Sequence, residues 1–146
     1  MIKIISVGKI KKDYLNEGIK HYQKQISFKI EFIEIDDEKD INGINIEGKK
    51  ILEKVNDKDF LVALAINGVM LSSEEFSNKL DLWLSSNNNI TFVIGGSYGL
   101  SEEVYKRANY LLSFSKMTFP HQLMRLFLVE QIYRGLMIKI NHPYHK

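Results

Sequence analysis

Short apolar runs and amphipathic stripes alternate along this chain, and the apolar runs predict five strands. Residues 2–7 predict a buried strand, and residues 60–66 and 90–94 are apolar runs typical of strands covered on both faces. Residues 28–35 alternate apolar and charged side chains, which predicts a strand with one exposed face. Residues 111–114 predict a fifth, short strand.

The amphipathic segments between these runs predict helices. They cover residues 13–26, 46–55, 72–85, a segment that begins at Ser101, and 121–140. Ser72 stands three residues before Glu75, which is the spacing of a capping box. Asn67-Gly68 is expected to end the third strand. Because strands and helices alternate, we expect an α/β fold with a mostly parallel sheet flanked by helices.

Composition adds limits to this picture. A chain of 146 residues with 45% hydrophobic and 26% charged residues is typical of one globular domain, here residues 1–146. The absence of cysteine excludes disulfides, thiolate metal sites and a thiol nucleophile. The first eight residues are too short for a signal peptide, and no apolar stretch reaches the length of a membrane span. We therefore expect a soluble, cytoplasmic protein with no membrane partner.

Charge is uneven along the chain although the net charge is only +2. Residues 1–35 and 95–146 are basic, whereas residues 36–94 are acidic. If the two ends meet in space, they form a modest basic surface. The alternative is that these charges are solvated faces without a partner.

In open α/β sheets, ligands bind beyond the carboxyl ends of the strands. This rule directs attention to residues 64–68, 95–99 and 115–120. The loop 95–99, Gly-Gly-Ser-Tyr-Gly, lacks both the G-x-G-x-x-G dinucleotide pattern and the P-loop lysine. It is either a ligand-binding loop or a tight turn between strand and helix.

Two further segments carry candidate chemistry. The loop 115–121 can offer backbone groups to an adenine edge, with Met117 and Phe119 on its faces, or these two side chains can fill the core. The tail 142–146 is rich in aromatic and titratable groups, which favours contact with a nucleobase, although it can also be docked for stability. His142 and His145 lie three residues apart without a carboxylate cluster, so we expect no metal site.

Several segments, in this order, resemble one family. They are Val-Gly-Lys-Ile-Lys at 7–11, Ile-Gly-Gly-Ser-Tyr-Gly-Leu-Ser at 94–101, residues 112–122, Glu-Gln-Ile-Tyr-Arg at 130–134 and His-Pro-Tyr-His-Lys at 142–146. The family is the ribosomal RNA large subunit methyltransferase H group of the SPOUT methyltransferases. The resemblance covers essentially the whole chain. Asp36 stands where family members often have proline, and the acidic segment after it is short, which bears on ribosome contacts rather than on the donor site.

The resemblance implies a C-terminal trefoil knot, a homodimer, and S-adenosylmethionine as methyl donor. It also implies N3-methylation of a pseudouridine in a 23S rRNA stem-loop of the ribosome. Methyl transfer from a sulfonium is an in-line displacement, for which we expect no metal to be required. The residues that match the family's donor pocket are Leu64, Gly96, Ser115, Lys116, Met117, Thr118, Phe119 and Pro120.

The resemblance places Arg134, Tyr144, His145 and Lys146 near the target nucleotide. We expect His145, Tyr144 and Arg134 to be catalytic, with His145 as the base and His121 as a second candidate base. Lys146 and His142 are expected to contact the RNA. Excess apolar surface on the predicted helix 121–140 favours a dimer, although a single core can also bury it.

Two other functions remain open at this point. The first is a nucleotide-binding regulatory module with a flavodoxin-like sheet that binds a phosphate-bearing ligand at residues 95–99. The second is a non-catalytic ribosome-binding protein. The identity of the ligand distinguishes the first from a methyltransferase, and ribosome binding independent of a methyl donor distinguishes the second.

Overall fold

The computed structural model describes residues 1–146, with the side chain of Ile41 excepted. The strands are β1 Ile2–Val7, β2 Ile30–Ile35, β3 Phe60–Met70, β4 Ile90–Ile94 and β5 Tyr110–Ser113. The helices are α1 Asp13–Gln23, α2 Ile44–Glu53, α3 Ser73–Ser86, α4 Glu102–Arg107 and α5 His121–Lys139. A short 3₁₀ helix, Ile41–Gly43, precedes α2.

The five strands form one sheet in the order β2-β1-β4-β3-β5, and every neighbouring pair is parallel. All residues of β1 and β4 are buried, which agrees with central strands covered on both faces. The expected α/β class and parallel sheet are confirmed. Because all strands run in one direction, their carboxyl ends lie along one edge of the sheet.

Two apolar clusters cover the two faces of the sheet. Side chains of α1, α3 and α5 pack in the larger cluster, which includes Ile19, Phe76 and Leu128. Side chains of α2 and α4, including Ile51 and Val104, pack in the smaller one. The helices therefore lie on both sides of the sheet, as the covered strands predict.

The prediction that Asn67-Gly68 ends the third strand is wrong. The register with β5 shifts between Leu64 and Val69, and pairing continues to Met70. A Cβ atom on Gly68 would lie 2.7 Å from the carbonyl carbon and oxygen of Leu111. Glycine therefore permits a close approach of two strands at an irregular register instead of ending one of them.

The other element ends differ from the predicted ones by three residues or fewer. The apolar stripe predicted for α1 extends beyond the end of the helix. Ile26, its last residue, lies in a turn after α1 but is still buried, and Ile26 N donates to Gln23 O at 3.1 Å. The predicted capping box is present, with Glu75 N 3.1 Å from Ser72 Oγ and Ser72 N 2.8 Å from Glu75 Oε1.

The amino end of the sheet is closed by a buried ion pair. Lys3 Nζ lies 3.3 Å from Asp59 Oδ2, and both side chains are almost fully buried. Burial alone would raise the pKa of Asp59, but the Asn56 N–H, the Lys3 ammonium and the Thr91 hydroxyl together lower it. This ion pair therefore stabilises the amino end of the sheet and holds Asp59 as a carboxylate.

In the part of the chain that the structure describes, no helix combines the length and apolarity that a membrane span requires. The trefoil knot and the single domain over residues 1–146 stay predictions.

Candidate active site

A cavity of about 450 Å³ opens at the carboxyl ends of β3, β4 and β5. All three segments predicted from the sheet rule contribute to its walls, together with the first residues of α5. Its volume lies within the range of small-molecule sites, roughly 300–1,000 Å³. The cavity is therefore large enough for a cofactor-sized ligand.

The loop 95–99 is both a tight turn and part of the cavity wall. Gly99 N donates to Gly96 O at 3.1 Å, and Gly99 has φ +83°, a region that favours glycine. A Cβ atom on Gly95 would lie 2.7 Å from Gly99 O. The glycines thus let the backbone fold back on itself while Gly95, Gly96 and Gly99 face the cavity.

Hydrogen bonds within the loop between β5 and α5 stabilise its conformation. Ser113 Oγ donates to Ser115 O at 3.1 Å, and Met117 N donates to Ser115 Oγ at 3.0 Å. Met117 is 72% exposed, so it does not fill the core. The ring of Phe119 packs edge-on against Phe127 at 5.6 Å between centroids, so one aromatic side chain is fixed at the cavity wall.

The structure brings six of the eight predicted donor residues to the cavity. These are Leu64, Gly96, Ser115, Met117, Thr118 and Phe119. It does not place the other two in the cavity wall: Lys116 is exposed, and Pro120 is the residue that precedes the first turn of α5. Both remain predictions as donor contacts.

Sequence reasoning missed wall residues that lie on two helices. Ile66 and Asn67 belong to the predicted segment 64–68 and line the cavity from the irregular part of β3. Tyr105 and Met124 line it from α4 and α5, two helices that the sheet rule does not consider. His121, a candidate base from the sequence, also lines the cavity.

The C-terminal tail packs against α5 around one carboxylate, Glu130. Its Oε1 accepts a hydrogen bond from Tyr144 OH at 2.9 Å and lies 2.6 Å from an Arg134 Nη2. The Arg134 guanidinium lies over the Tyr144 ring, 4.8 Å from the centroid. We call Glu130, Arg134, Tyr144 and His145 the tail cluster.

His145 is held from both sides. Its Nδ1 lies 3.0 Å from Arg134 Nη1, and its Nε2 lies 2.7 Å from Glu74 Oε1. Arginine can only donate and a carboxylate can only accept, so the neutral imidazole with hydrogen on Nε2 satisfies both partners. The hydrogen bond from His145 lowers the pKa of Glu74. In this arrangement neither ring nitrogen is free to take a proton.

Tyr144 and Arg134 keep their protons in this cluster. Burial raises the pKa of Tyr144 above its ordinary value, and the hydroxyl of Tyr22 and the carboxylate of Glu130 add to the shift. Glu130 raises the pKa of Arg134 through its hydrogen bond. Tyr144 is therefore a phenol and Arg134 a cation near neutral pH.

The two predicted RNA-contact residues lie at the end of the tail. His142 and Lys146 are exposed, and His142 Nδ1 accepts a hydrogen bond from Tyr144 N at 3.1 Å. No group of three or more metal-ligating side chains is found among the described residues.

A second cavity, of about 300 Å³, lies between the first cavity and the tail cluster. Leu112, Phe114 and Phe119 line both cavities, and Glu130 lines the second. The tail cluster and the first cavity are thus neighbours on one chain, separated by apolar side chains.

A cavity at the carboxyl edge of a parallel α/β sheet is where proteins of this class bind small-molecule ligands. The family model described as "Predicted SPOUT methyltransferase" matches residues 1–145. The chain belongs to the SPOUT methyltransferase family, and it is a methyltransferase that uses a methyl-donor cofactor.

Curated relatives cover the chain from end to end. The protein named ribosomal RNA large subunit methyltransferase H of Acholeplasma laidlawii is 56% identical over 146 residues, with 99% of each chain covered. Proteins of the same name from Enterococcus faecalis and Clostridioides difficile are each 50% identical over 157 residues, with 99% of each chain covered. The resemblance read from the sequence is confirmed.

Proposed function

We propose that this chain transfers a methyl group from S-adenosylmethionine to N3 of a pseudouridine in a 23S rRNA stem-loop, and that it acts on the assembled ribosome. The observation that carries the proposal is the cavity, since six of the predicted donor residues lie together in its wall. The names of the relatives, which specify ribosomal RNA of the large subunit, support the substrate.

The cavity suits this donor by its chemistry. Met117 and Phe119 offer apolar surfaces for an adenine ring, and the backbone of 95–99 and 115–118 offers N–H and C=O groups for its polar edge. When bound, S-adenosylmethionine supplies a methyl group on a positively charged sulfur. The chain's task is then to hold the donor so that the acceptor nitrogen can approach in line.

The acceptor needs help to lose the proton on its nitrogen. Arg134, held as a cation by Glu130, can stabilise the negative charge that develops on the base. Tyr144, a phenol under these conditions, can stack on the base, and it can donate a hydrogen bond to the base only after its hydroxyl parts from Glu130. His145 can accept the proton only after its Nδ1 parts from Arg134, a change that an incoming nucleotide could cause.

We also propose that the protein is a cytoplasmic homodimer built on one domain, residues 1–146. Partly exposed apolar side chains of α5 that lie outside the two apolar clusters support a partner surface: Leu123, Phe127 and Ile138. A second chain would bury this surface and could bring its tail cluster to the donor cavity of the first. Sedimentation that shows a monomer at micromolar concentration would reject the dimer.

The function is tested by incubating the protein and radiolabelled S-adenosylmethionine with ribosomes that lack the modification. Nucleoside mass spectrometry of the 23S rRNA should show one N3-methylated pseudouridine, and free rRNA should be a poorer substrate. Transfer to another nucleoside, or to none, contradicts the proposed substrate. Ribosome binding that is unaffected by the donor, without transfer, would favour a non-catalytic ribosome-binding protein.

A further inference from the structure

The loop between β1 and α1 carries three exposed lysines within four residues: Lys9, Lys11 and Lys12. We call residues 8–12 the lysine loop. It follows the carboxyl end of β1, so it lies on the same edge of the sheet as the donor cavity. The described donor and tail sites use none of these three side chains.

The lysine loop is braced by side chains from distant parts of the chain. Arg125 Nη2 donates to Gly8 O at 2.7 Å, and Lys11 N donates to Gln122 Oε1 at 3.0 Å. Arg125 is buried, and its Nη1 lies 2.6 Å from Glu34 Oε2. A buried arginine and its carboxylate partner thus fix the backbone of a loop whose lysines point to solvent.

The same helix that braces the loop also lines the donor cavity. Gln122 and Arg125 hold the loop, whereas His121 and Met124 of the same two turns face the cavity. His121 Nε2 lies 3.5 Å from the place that a Cβ atom on Gly8 would occupy. The backbone of the lysine loop therefore lies next to the turn of α5 that contributes His121 to the cavity wall.

These lysines have no carboxylate partner within the described chain. No carboxylate oxygen lies within 4.0 Å of the Nζ atoms of Lys9, Lys11 or Lys12, whereas Lys3, Lys50, Lys106 and Lys139 each have one. Three acids lie near the loop: Asp13 is in the first turn of α1, where the helix dipole favours it, Glu34 is paired with Arg125 and accepts from Ile10 N, and Asp37 lies beside Gly8. Unpaired cations on a braced loop are suited to an external anion.

We infer that the lysine loop docks the phosphates of the RNA strand that flanks the target nucleotide. The inference rests on the proposed function, because that function places a polyanion at the mouth of the donor cavity. Each lysine that neutralises a phosphate releases a counterion, so the contribution of the loop must weaken as salt rises. Phosphate contacts position the strand without reading its sequence.

The test compares two triple variants that each remove three positive charges. K9Q/K11Q/K12Q changes the lysine loop, and K49Q/K54Q/K58Q changes exposed, unpaired lysines in and after α2, on the opposite face of the sheet. Ribosome co-sedimentation and methyl transfer are measured for each variant at salt concentrations from about 50 to about 200 mM, a range over which phosphate contacts weaken strongly. Calorimetry with S-adenosylmethionine confirms that each variant is folded.

We expect the lysine-loop variant to bind ribosomes at least about tenfold more weakly at low salt, with unchanged donor affinity and unchanged kcat at saturating ribosome. The slope of log affinity against log salt should fall by about 2, since each phosphate contact contributes roughly 0.7–0.9. The control variant should stay within about twofold of the unaltered protein, because its lysines lie away from the cavity.

Three results would overturn the inference. Equal ribosome affinity of the two variants rejects the lysine loop as the docking surface while leaving the proposed function intact. A fall in kcat without a change in affinity assigns the lysines to the reaction centre instead. If the unaltered protein binds the donor but neither binds nor methylates ribosomes, the proposed function fails together with the inference.

Discussion

The donor cavity and the tail cluster differ in the chemistry of the residues that form them. The cavity wall is mainly apolar, and its loops at 95–99 and 113–118 are held by glycines and tight turns. The tail cluster consists of side chains that satisfy one another, with Glu130 accepting from both Tyr144 and Arg134. A cofactor needs a fixed shape, whereas the handling of a proton and a developing charge needs titratable groups. We propose that the cavity binds the donor and the tail cluster acts on the acceptor, so that a change in one region should leave the function of the other intact.

Removal of the tail gives the largest expected separation. A chain ending at Asn141 lacks Tyr144 and His145, so we expect methyl transfer to fall at least about a thousandfold, while donor affinity stays within about threefold. The measurement pairs single-turnover transfer with donor calorimetry. Simultaneous loss of donor binding would show that the tail forms part of the cavity.

Gly95→Ala tests the cavity, because here donor binding should be weakened whereas the tail cluster is unchanged. The new Cβ atom would overlap Gly99 O, so the loop must move, and we expect donor affinity to fall at least about tenfold. Tyr98→Ala is the matched control, because Tyr98 belongs to the same loop, is exposed and does not face the cavity. Equal donor binding by both variants would show that the backbone shape of this loop is not needed.

Glu130→Gln tests the centre of the tail cluster with a smaller change. The amide keeps the size but loses the charge that holds Arg134 and accepts from Tyr144. We expect kcat to fall about tenfold, with donor affinity unchanged, because Arg134 and Tyr144 lose their orientation. Rescue of the rate by Glu130→Asp, partial because the side chain is shorter, would support positioning. A change in donor affinity alone would contradict the division of work.

Tyr144→Phe should give the smallest effect, a change in how the free energy of unfolding depends on pH. The pKa of Tyr144 is raised in the folded chain, mainly by burial, so folding favours the protonated phenol. Its contribution is fully present below the ordinary tyrosine pKa, about 10, and is lost as pH rises above it. The difference in urea-unfolding free energy between Tyr144→Phe and the unaltered chain should therefore be constant from pH 7 to about 9 and change above it. A constant difference up to pH 11 contradicts the shift.

The sequence predicts the cavity better than the tail cluster, and the reason is physical. Parallel strands place their carboxyl ends together, so 64–68, 95–99 and 115–120 can be assigned to one edge from local patterns alone. The pairing of His145 with Glu74, 71 positions apart, or of Tyr144 with Tyr22, 122 positions apart, leaves no local signal. The resemblance names Tyr144 and His145, but it does not reveal Glu74, Tyr22 or Glu130 as their partners.

Local sequence patterns also give wrong predictions where tertiary contacts determine the end of a strand or the role of a side chain. Asn67-Gly68 is a typical end of a strand, yet the close approach of β5 at Gly68 extends β3 and brings Asn67 into the cavity wall. His145 is the most plausible base by its ordinary chemistry, but its two ring nitrogens are already engaged by Arg134 and Glu74. Its role therefore depends on what an incoming nucleotide does to that arrangement.

The most direct test of the account is calorimetry of S-adenosylmethionine binding to the purified protein, with Gly96→Trp as the control. A Cβ atom on Gly96 would lie 3.0 Å from Val7 Cγ1 and 3.3 Å from Asp37 Oδ1, so an indole side chain there must displace the loop 95–99. The account predicts that the unaltered chain binds the donor with a stoichiometry of about one per chain and that Gly96→Trp, although folded, does not. The absence of binding by the unaltered chain, or equal binding by both, would contradict a donor site at the carboxyl ends of β3, β4 and β5.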